Sequence, residues 1–372
     1  MNRRSFILGG LGTLGLTIGS GFWFVSQPKF GRLPSGDRLT RIQASPHYVN
    51  GKFQCLEPVE VMTNSDENRI VATFKFFTRD TSNLFPKQEI LSKKTNLKGI
   101  PQNEDILIWM GHSTFYLQLN GQKILIDPVF SDYGSPIFFI NKAFPGSNIY
   151  TADDFPDIDV LAITHDHWDH LDYASVMALK PKVKNIVCPL GVGEYFEQWG
   201  FDLDILHEED WYTEIKLSKE LQIHILPSQH FSGRFLTTNP TEWCSFAFVT
   251  PKLKVFCSGD GGYGSHFKDI GKRFDGFDLA IMENGQYNER WHKIHMLPEE
   301  TAQATVDVGA KQLVASHNGK FALALHGWKE PFDIMTKLCE GKPYERLTPM
   351  IGEKVYIGQS GQKFNNWWTE ME

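Results

Sequence analysis

The sequence predicts an α/β body in which two mixed sheets are sandwiched between helices. A hairpin signature opens the regular part of the chain, strands and helices alternate through both of its halves, and no low-complexity tract or short-period repeat interrupts them. Residues 106–110 read as a buried strand. Residues 114–119 alternate, Asn120-Gly121 supplies a type I′ turn, and 123–128 return. Further strands are expected at 160–164, 185–188, 221–226, 245–249, 254–257, 279–283 and 312–316. Helices are expected at 171–179, 194–199, 298–308 and 329–339. Pro298 followed by Glu299-Glu300 is a favourable helix start, because the proline lacks an N–H that would go unpaired and the acids face the positive helix end. Gly191-Val192-Gly193 before a helix reads as a turn rather than a nucleotide loop.

Composition narrows the function classes. At 372 residues, 41% hydrophobic and 22% charged, the chain can bury a large core. With 37 basic against 44 acidic side chains the net charge is −7, which argues against a nucleic-acid partner. The five cysteines are odd in number and form no C-x-x-C, so a disulfide scaffold or zinc ribbon is not expected. Cys244 and Cys257 flank a hairpin near residues 250–251, yet buried free thiols are the expected state.

The chain divides into three segments. Residues 1–27 read as a twin-arginine-like signal or membrane anchor: Arg3-Arg4 precede an uncharged apolar run to Val25, close to the roughly 20 residues that cross a bilayer. No small-residue cleavage site follows. An uncleaved anchor in a bacterial inner membrane, with the body facing the periplasm, is the expected location, or the periplasm itself if the signal is removed. Residues 28–100 read as an extension packed on the main domain, with one apolar patch at 71–77, and residues 101–372 form that domain.

The chemistry concentrates in Thr164-His165-Asp166-His167-Trp168-Asp169-His170, directly after the apolar run 160–163. His165 and His167, two apart on an extended backbone, point the same way, while Asp169 and His170 follow on the turn. Imidazoles and carboxylates are the ligand set of zinc, iron or manganese sites. The plainer alternative is a polar loop capping a helix, with Asp169 or Asp172 as N-cap. Four ligands in one loop cannot close two sites, so others must come from elsewhere. His230, Asp260 and His317 occupy the same position as His165, the first polar residues beyond a buried strand. Taken singly, such residues are more often surface polar groups or turn formers. His112 and Asp127 are candidates for supporting the ligating imidazoles, and His295 for touching a leaving group or capping the helix at Pro298.

The pattern His165-x-His167-x-Asp169-His170, then His230, Asp260 and His317, resembles that of the metallo-β-lactamase superfamily. The wider text is similar to the N-acyl-phosphatidylethanolamine-hydrolysing phospholipase D family: Trp109-Met-Gly-His-Ser-Thr114, Ile126-Asp-Pro-Val-Phe-Ser131, Ser228-Gln-His-Phe231, Ser258-Gly-Asp-Gly-Gly-Tyr263, Arg290-Trp291 and the stretch from His317 to Ala324. The resemblance runs from about Pro101 to Trp328. It implies an αββα sandwich with two Zn²⁺ per chain at the edge between the sheets, iron or manganese suiting the same donors. It implies that His165, His167 and His230 hold one metal, that Asp169, His170 and His317 hold the other, and that Asp260 bridges. Phe231, Gly261 and Asn318 depart from the family pattern beside the site.

The expected function is a metal-dependent hydrolase of phospholipid phosphodiesters, with Asp169, Asp260 and His295 as candidate catalytic groups. A lactonase, β-lactamase-like or other carbonyl hydrolase is the alternative, since water activated by the same metals attacks carbonyl carbon too. Nuclease activity ranks below both because of the acidic balance. A non-catalytic, membrane-anchored metal-binding scaffold is the alternative of another class. The expected partners are a phospholipid substrate and the membrane, with a homo-oligomer left open. No G-x-S-x-G, H-E-x-x-H or phosphate-loop motif supports another hydrolase chemistry.

Overall fold

The computed structural model describes residues 23–62, 78, 81–234 and 237–372. It contains two seven-stranded mixed sheets. One runs β16 (Lys354–Tyr356), β3 (Ile106–Trp109), β4 (Phe115–Leu119), β5 (Gln122–Ile126), β6 (Val160–Ala162), β7 (Ile186–Pro189) and β8 (Leu206–Glu209). The other runs β15 (Glu345–Leu347), β14 (Gln312–Ser316), β13 (Leu279–Glu283), β12 (Lys254–Cys257), β11 (Ser245–Val249), β10 (Gln222–Leu226) and β9 (Glu214–Lys216). A small hairpin, β1 (Tyr48–Val49) with β2 (Lys52–Phe53), precedes both. The helices that lie wholly within the described residues are α1 (Gly36–Ala44), α2 (Tyr173–Leu179), α3 (Gly193–Gln198), α4 (His266–Phe274), α5 (Pro298–Asp307) and α6 (Glu330–Leu338).

Alternation explains the layering. Along β4, Phe115, Leu117 and Leu119 face the core shared with Phe246 and Phe248 of β11, while Tyr116 joins a separate cluster with α2 and α3. On the far side, α4 and α5 pack Phe267, Ile270, Ala302 and Ala304 against Phe256 and Ala280. Each sheet is therefore buried on both faces, which is why strands such as β3, β6 and β7 read as apolar runs. The predicted αββα sandwich is the observed architecture.

The expected hairpin is present, with Asn120 and Gly121 both at positive φ as a type I′ turn requires. Expected strands at 245–249, 254–257, 279–283 and 312–316 have the observed bounds, whereas the others move by one or two residues. Strands β8, β9, β15 and β16 and helix α4 were not expected. The four strands are edges or next to edges, and β9 and β16 bury a single side chain each, so no apolar run marks them. Helix α4 carries Gly271, an unfavourable helix residue, for a packing reason: a Cβ there would lie 2.2 Å from the Asp307 carbonyl of α5. All five cysteines are free, and Cys188, Cys244 and Cys257 are buried.

Among the described residues no helix is long and apolar enough to cross a membrane. Most of the predicted anchor, residues 1–22, and the patch at 71–77 lie outside the described residues.

Within residues 28–100, α1 lies against α3 and β8 through charge. The Arg38 guanidinium spans Glu194 at 2.8 Å, Glu197 at 2.5 Å and Glu208 at 2.8 Å, and both Glu194 and Glu208 are almost wholly enclosed. Phe53 donates its N–H to Asn239 and is fully buried. Arg38→Ala leaves two enclosed carboxylates short of a partner. The expected loss is about 2 kcal/mol, below the roughly 3–5 kcal/mol for a wholly buried pair because Arg38 keeps some water contact. Urea unfolding of the variant against the parent chain measures it.

Candidate metal centre

The site is built at one edge, where chain segments leave the strands. After β6 the backbone stays extended, so His165 and His167 face inward while Asp166 faces away. Asp166 instead accepts from Tyr195 Oη at 2.7 Å and the Gly233 N–H at 2.8 Å. The chain then turns: the N–H groups of His170 and Leu171 return to the His167 carbonyl, which brings Asp169 and His170 back toward the same point. The helix cap falls to Asp172, which accepts from the Ser175 N–H. His230 arrives three residues after Pro227, Asp260 just after β12, and His317 directly after β14 at φ +63°.

Two clusters result. His167 Nδ1 lies 2.9 Å from His165 Nε2 and 3.2 Å from His230 Nε2. Ligands at about 2.0–2.1 Å in tetrahedral coordination stand roughly 3.3 Å apart, so this spacing suits one cation. In the second cluster, Asp169 Oδ2 lies 3.7 Å from His170 Nε2, 3.3 Å from His317 Nε2 and 2.8 Å from His112 Nε2. Asp260 Oδ2 sits between them, 3.1 Å from His170 Nε2, 3.0 Å from His317 Nε2 and 4.0 Å from both His165 Nε2 and His230 Nε2. All seven predicted side chains therefore converge.

The donors fit a pair of cations. Asp260 Oδ1 is buried with no hydrogen-bond partner among the described residues, and His170 Nε2 makes no bond of good geometry despite its nearness to Asp260. Such atoms are costly unless something else satisfies them. Burial, reinforced by neighbouring imidazoles, lowers the pKa of His165 and His230 well below the usual histidine value, which leaves lone pairs to donate. Burial would raise Asp169 and Asp260, yet His170 and other imidazoles outweigh it and hold both well below the usual carboxylate range. The same charges act in reverse on His317: burial lowers it, but Asp260, Asp169 and Glu283 lift it to about 10. Buried negative charge here calls for positive charge, as protons or as metal.

The supporting groups are partly those expected. Asp127 Oδ2 accepts from His170 Nδ1 at 2.8 Å and from the Thr164 hydroxyl at 2.6 Å, and Asp127 Oδ1 accepts from the Thr164 N–H. His112 stands nearer than a supporting role requires, with Nε2 directly on Asp169. His295 contacts Glu283 through Nδ1 and stacks on His317 at 5.2 Å. The cap of α5 falls instead to Glu300, whose carboxylate accepts the N–H of Leu297 just ahead of the helix. Sequence reasoning did not single out Glu283. Fully buried at the end of β13, it accepts from His317 Nδ1 at 3.1 Å and from His295 with one oxygen, and from the Gly261 N–H at 2.6 Å with the other. The signal available was a lone acid ending an otherwise apolar strand.

A cavity of about 260 Å³ opens above these groups. Asp169, Asp260, His295 and His317 form its floor, and Phe231, Trp291, Ile294 and Leu323 its apolar wall. Phe231, one of the departures from the family pattern, lies 4.5 Å from the His167 ring. Gly261 is pinned by contact: a Cβ there would stand 2.5 Å from Ser228 Oγ. Asn318 donates to the carbonyls of Asn284 and Ser316.

Residues 122–318, just over half of the chain, match the beta-lactamase superfamily domain. The chain belongs to the metallo-β-lactamase superfamily. A relative of this superfamily member from Mycobacterium tuberculosis, described as uncharacterised, is 34% identical over 88% of each chain. The N-acyl-phosphatidylethanolamine-hydrolysing phospholipase D 1 of Caenorhabditis elegans is 28% identical over 72% of this chain and 82% of its own. Among solved structures, an isothiocyanate hydrolase from Delia radicum gut bacteria covers 67% of this chain and 98% of its own, with a TM-score of 0.53 at 20% identity, which speaks to the fold alone. The chain is thus a metal-dependent hydrolase of the metallo-β-lactamase superfamily with candidate His/Asp metal sites.

Proposed function

We propose that this superfamily member is a zinc-dependent phosphodiesterase of the phospholipase D type, acting on phospholipids such as N-acyl-phosphatidylethanolamine. The observation that carries the reading is the position of Asp260, whose Oδ2 lies within 4.0 Å of imidazoles from both clusters under an apolar-walled mouth. His165, His167 and His230 would hold one zinc, Asp169, His170 and His317 the other, and Asp260 would bridge. Two dications there would lower the pKa of water and neutralise charge on a phosphodiester.

The chain's own residues supply the rest. Asp127 and Glu283 fix the tautomer and aim of His170 and His317. Phe231, Ile294 and Leu323 exclude water and offer surface to an acyl chain. His295, with Nδ1 engaged by Glu283, keeps Nε2 for the leaving oxygen, and the Glu283 carboxylate supports that imidazole when it carries a proton to the departing alcohol. The similarity to the worm phospholipase D supports the substrate class. A body tethered in a bacterial inner membrane and facing the periplasm would meet such a lipid at its surface.

Incubating the zinc-loaded protein with N-acyl-phosphatidylethanolamine should release phosphatidic acid and the N-acylethanolamine. Cleavage of a lactone or a chromogenic cephalosporin with no phosphodiester product would move the reading to a carbonyl hydrolase. Inertness of metal-loaded protein toward all three would leave only a metal-binding scaffold.

A further inference from the structure

The structure exposes an aromatic tip that the hydrolytic site does not use. Residues 133–142 form a closed loop: Tyr133 pairs with Lys142, the Gly134 N–H donates to Asn141 at 2.9 Å, and the Ala143 N–H donates to Asp132 at 2.8 Å. At its end Phe138 is 75% exposed and Phe139 70%, their rings edge to face at 5.2 Å, with Ile140 beside them. An ordered base that holds two phenylalanines in water buries nothing of its own, which marks a surface made for a partner.

The neighbours say which partner. Lys29 donates to the Pro136 carbonyl at 3.0 Å and lies 5.0 Å from the Phe24 ring. The first described residues, with Trp23 67% exposed, therefore meet the chain at this loop, and in the sequence they close the uncharged run that begins at Phe6. The base of the loop reaches the metal centre: a Cβ on Gly134 would stand 3.4 Å from Asp169 Cβ. Apolar tip, adjoining lysines at 29 and 142, and the end of a bilayer-length apolar run match the order of groups at a membrane interface, aromatics at the acyl boundary and cations at the headgroups.

We propose that the 134–141 loop seats its Phe138-Phe139-Ile140 tip in a lipid bilayer, forming with residues 23–29 a two-point contact that sets the catalytic mouth against the membrane. The inference rests on the reading of the N-terminal run as a tether and adds to it a second, orienting contact. A tether alone leaves the body free to rotate, whereas two contacts fix which side faces the lipid.

The test uses the full chain in vesicles of phosphatidylethanolamine and phosphatidylglycerol. A polarity-sensitive thiol label is placed at Phe139→Cys and, for comparison, at Lys272→Cys, an exposed position in the last turn of α4 near the start of β13. Signal from the native cysteines is subtracted using the unsubstituted chain. With nitroxide lipids present, the label at 139 should shift to the blue and lose at least about half its emission, while the label at 272 changes little. A label at 139 that stays as water-exposed as that at 272, on protein that floats with the vesicles, would overturn the proposal. So would a blue shift without lipid that grows with protein concentration, since a second copy would then be the occupant. Quenching decides the tip whether or not any lipid is hydrolysed, so failure of the catalytic reading is seen separately.

Discussion

Asp260→Asn should lose hydrolytic turnover by at least about a hundredfold and bind less metal. The lower end of the range for removing one charge-stabilising group sets that figure. The side chain keeps its shape as an amide, so packing is not the cause of the loss. Asp260 Oδ2 lies within 4.0 Å of imidazoles of both clusters, and an amide there offers one neutral oxygen in place of a shared anion. Removing the charge would weaken the hold on both proposed cations at once. His167→Ala should lose as much, because its Nδ1 is the point on which His165 and His230 converge. Steady-state rates with elemental analysis of each purified variant check both. Full activity with unchanged metal content in either would refute the assignment.

Glu283→Gln should cost about 10- to 100-fold in activity or metal affinity, the range for losing a group that orients a ligand. The carboxylate accepts three hydrogen bonds, from His317, His295 and the Gly261 N–H. A glutamine has one acceptor oxygen and one donor nitrogen, so either the two imidazoles or the Gly261 N–H must face a donor. The variant also removes the charge that supports a protonated His295. A merely structural role predicts lower thermal stability and an unaltered pH–rate profile. The role argued here predicts that the profile itself changes.

Much of this centre is legible in the sequence because its candidate ligands follow buried strands. Strand β13 is an apolar run ended by Glu283, and β14 holds Leu313-Val314-Ala315 between Gln312 and Ser316; such runs mark their own limits. Asp166 shows the limit of residue type alone: it sits among four candidate ligands, and only strand alternation tells that it faces Tyr195 instead. Glu283 is hidden for another reason. Its meaning depends on histidines 12 and 34 residues further on, brought to it by the parallel pairing of β13 with β14 and the loop before α5. The edge strands are hidden because one buried side chain among polar ones, as at Ile215 in β9, carries no periodicity.

The most direct test of the two-metal account is elemental analysis of the purified chain after reconstitution with zinc, iron or manganese and removal of loose ions. The account predicts two tightly held dications per chain, falling in Asp260→Asn. A folded chain that retains none, or whose retained metal is indifferent to His167, Asp260 and His317, would contradict it.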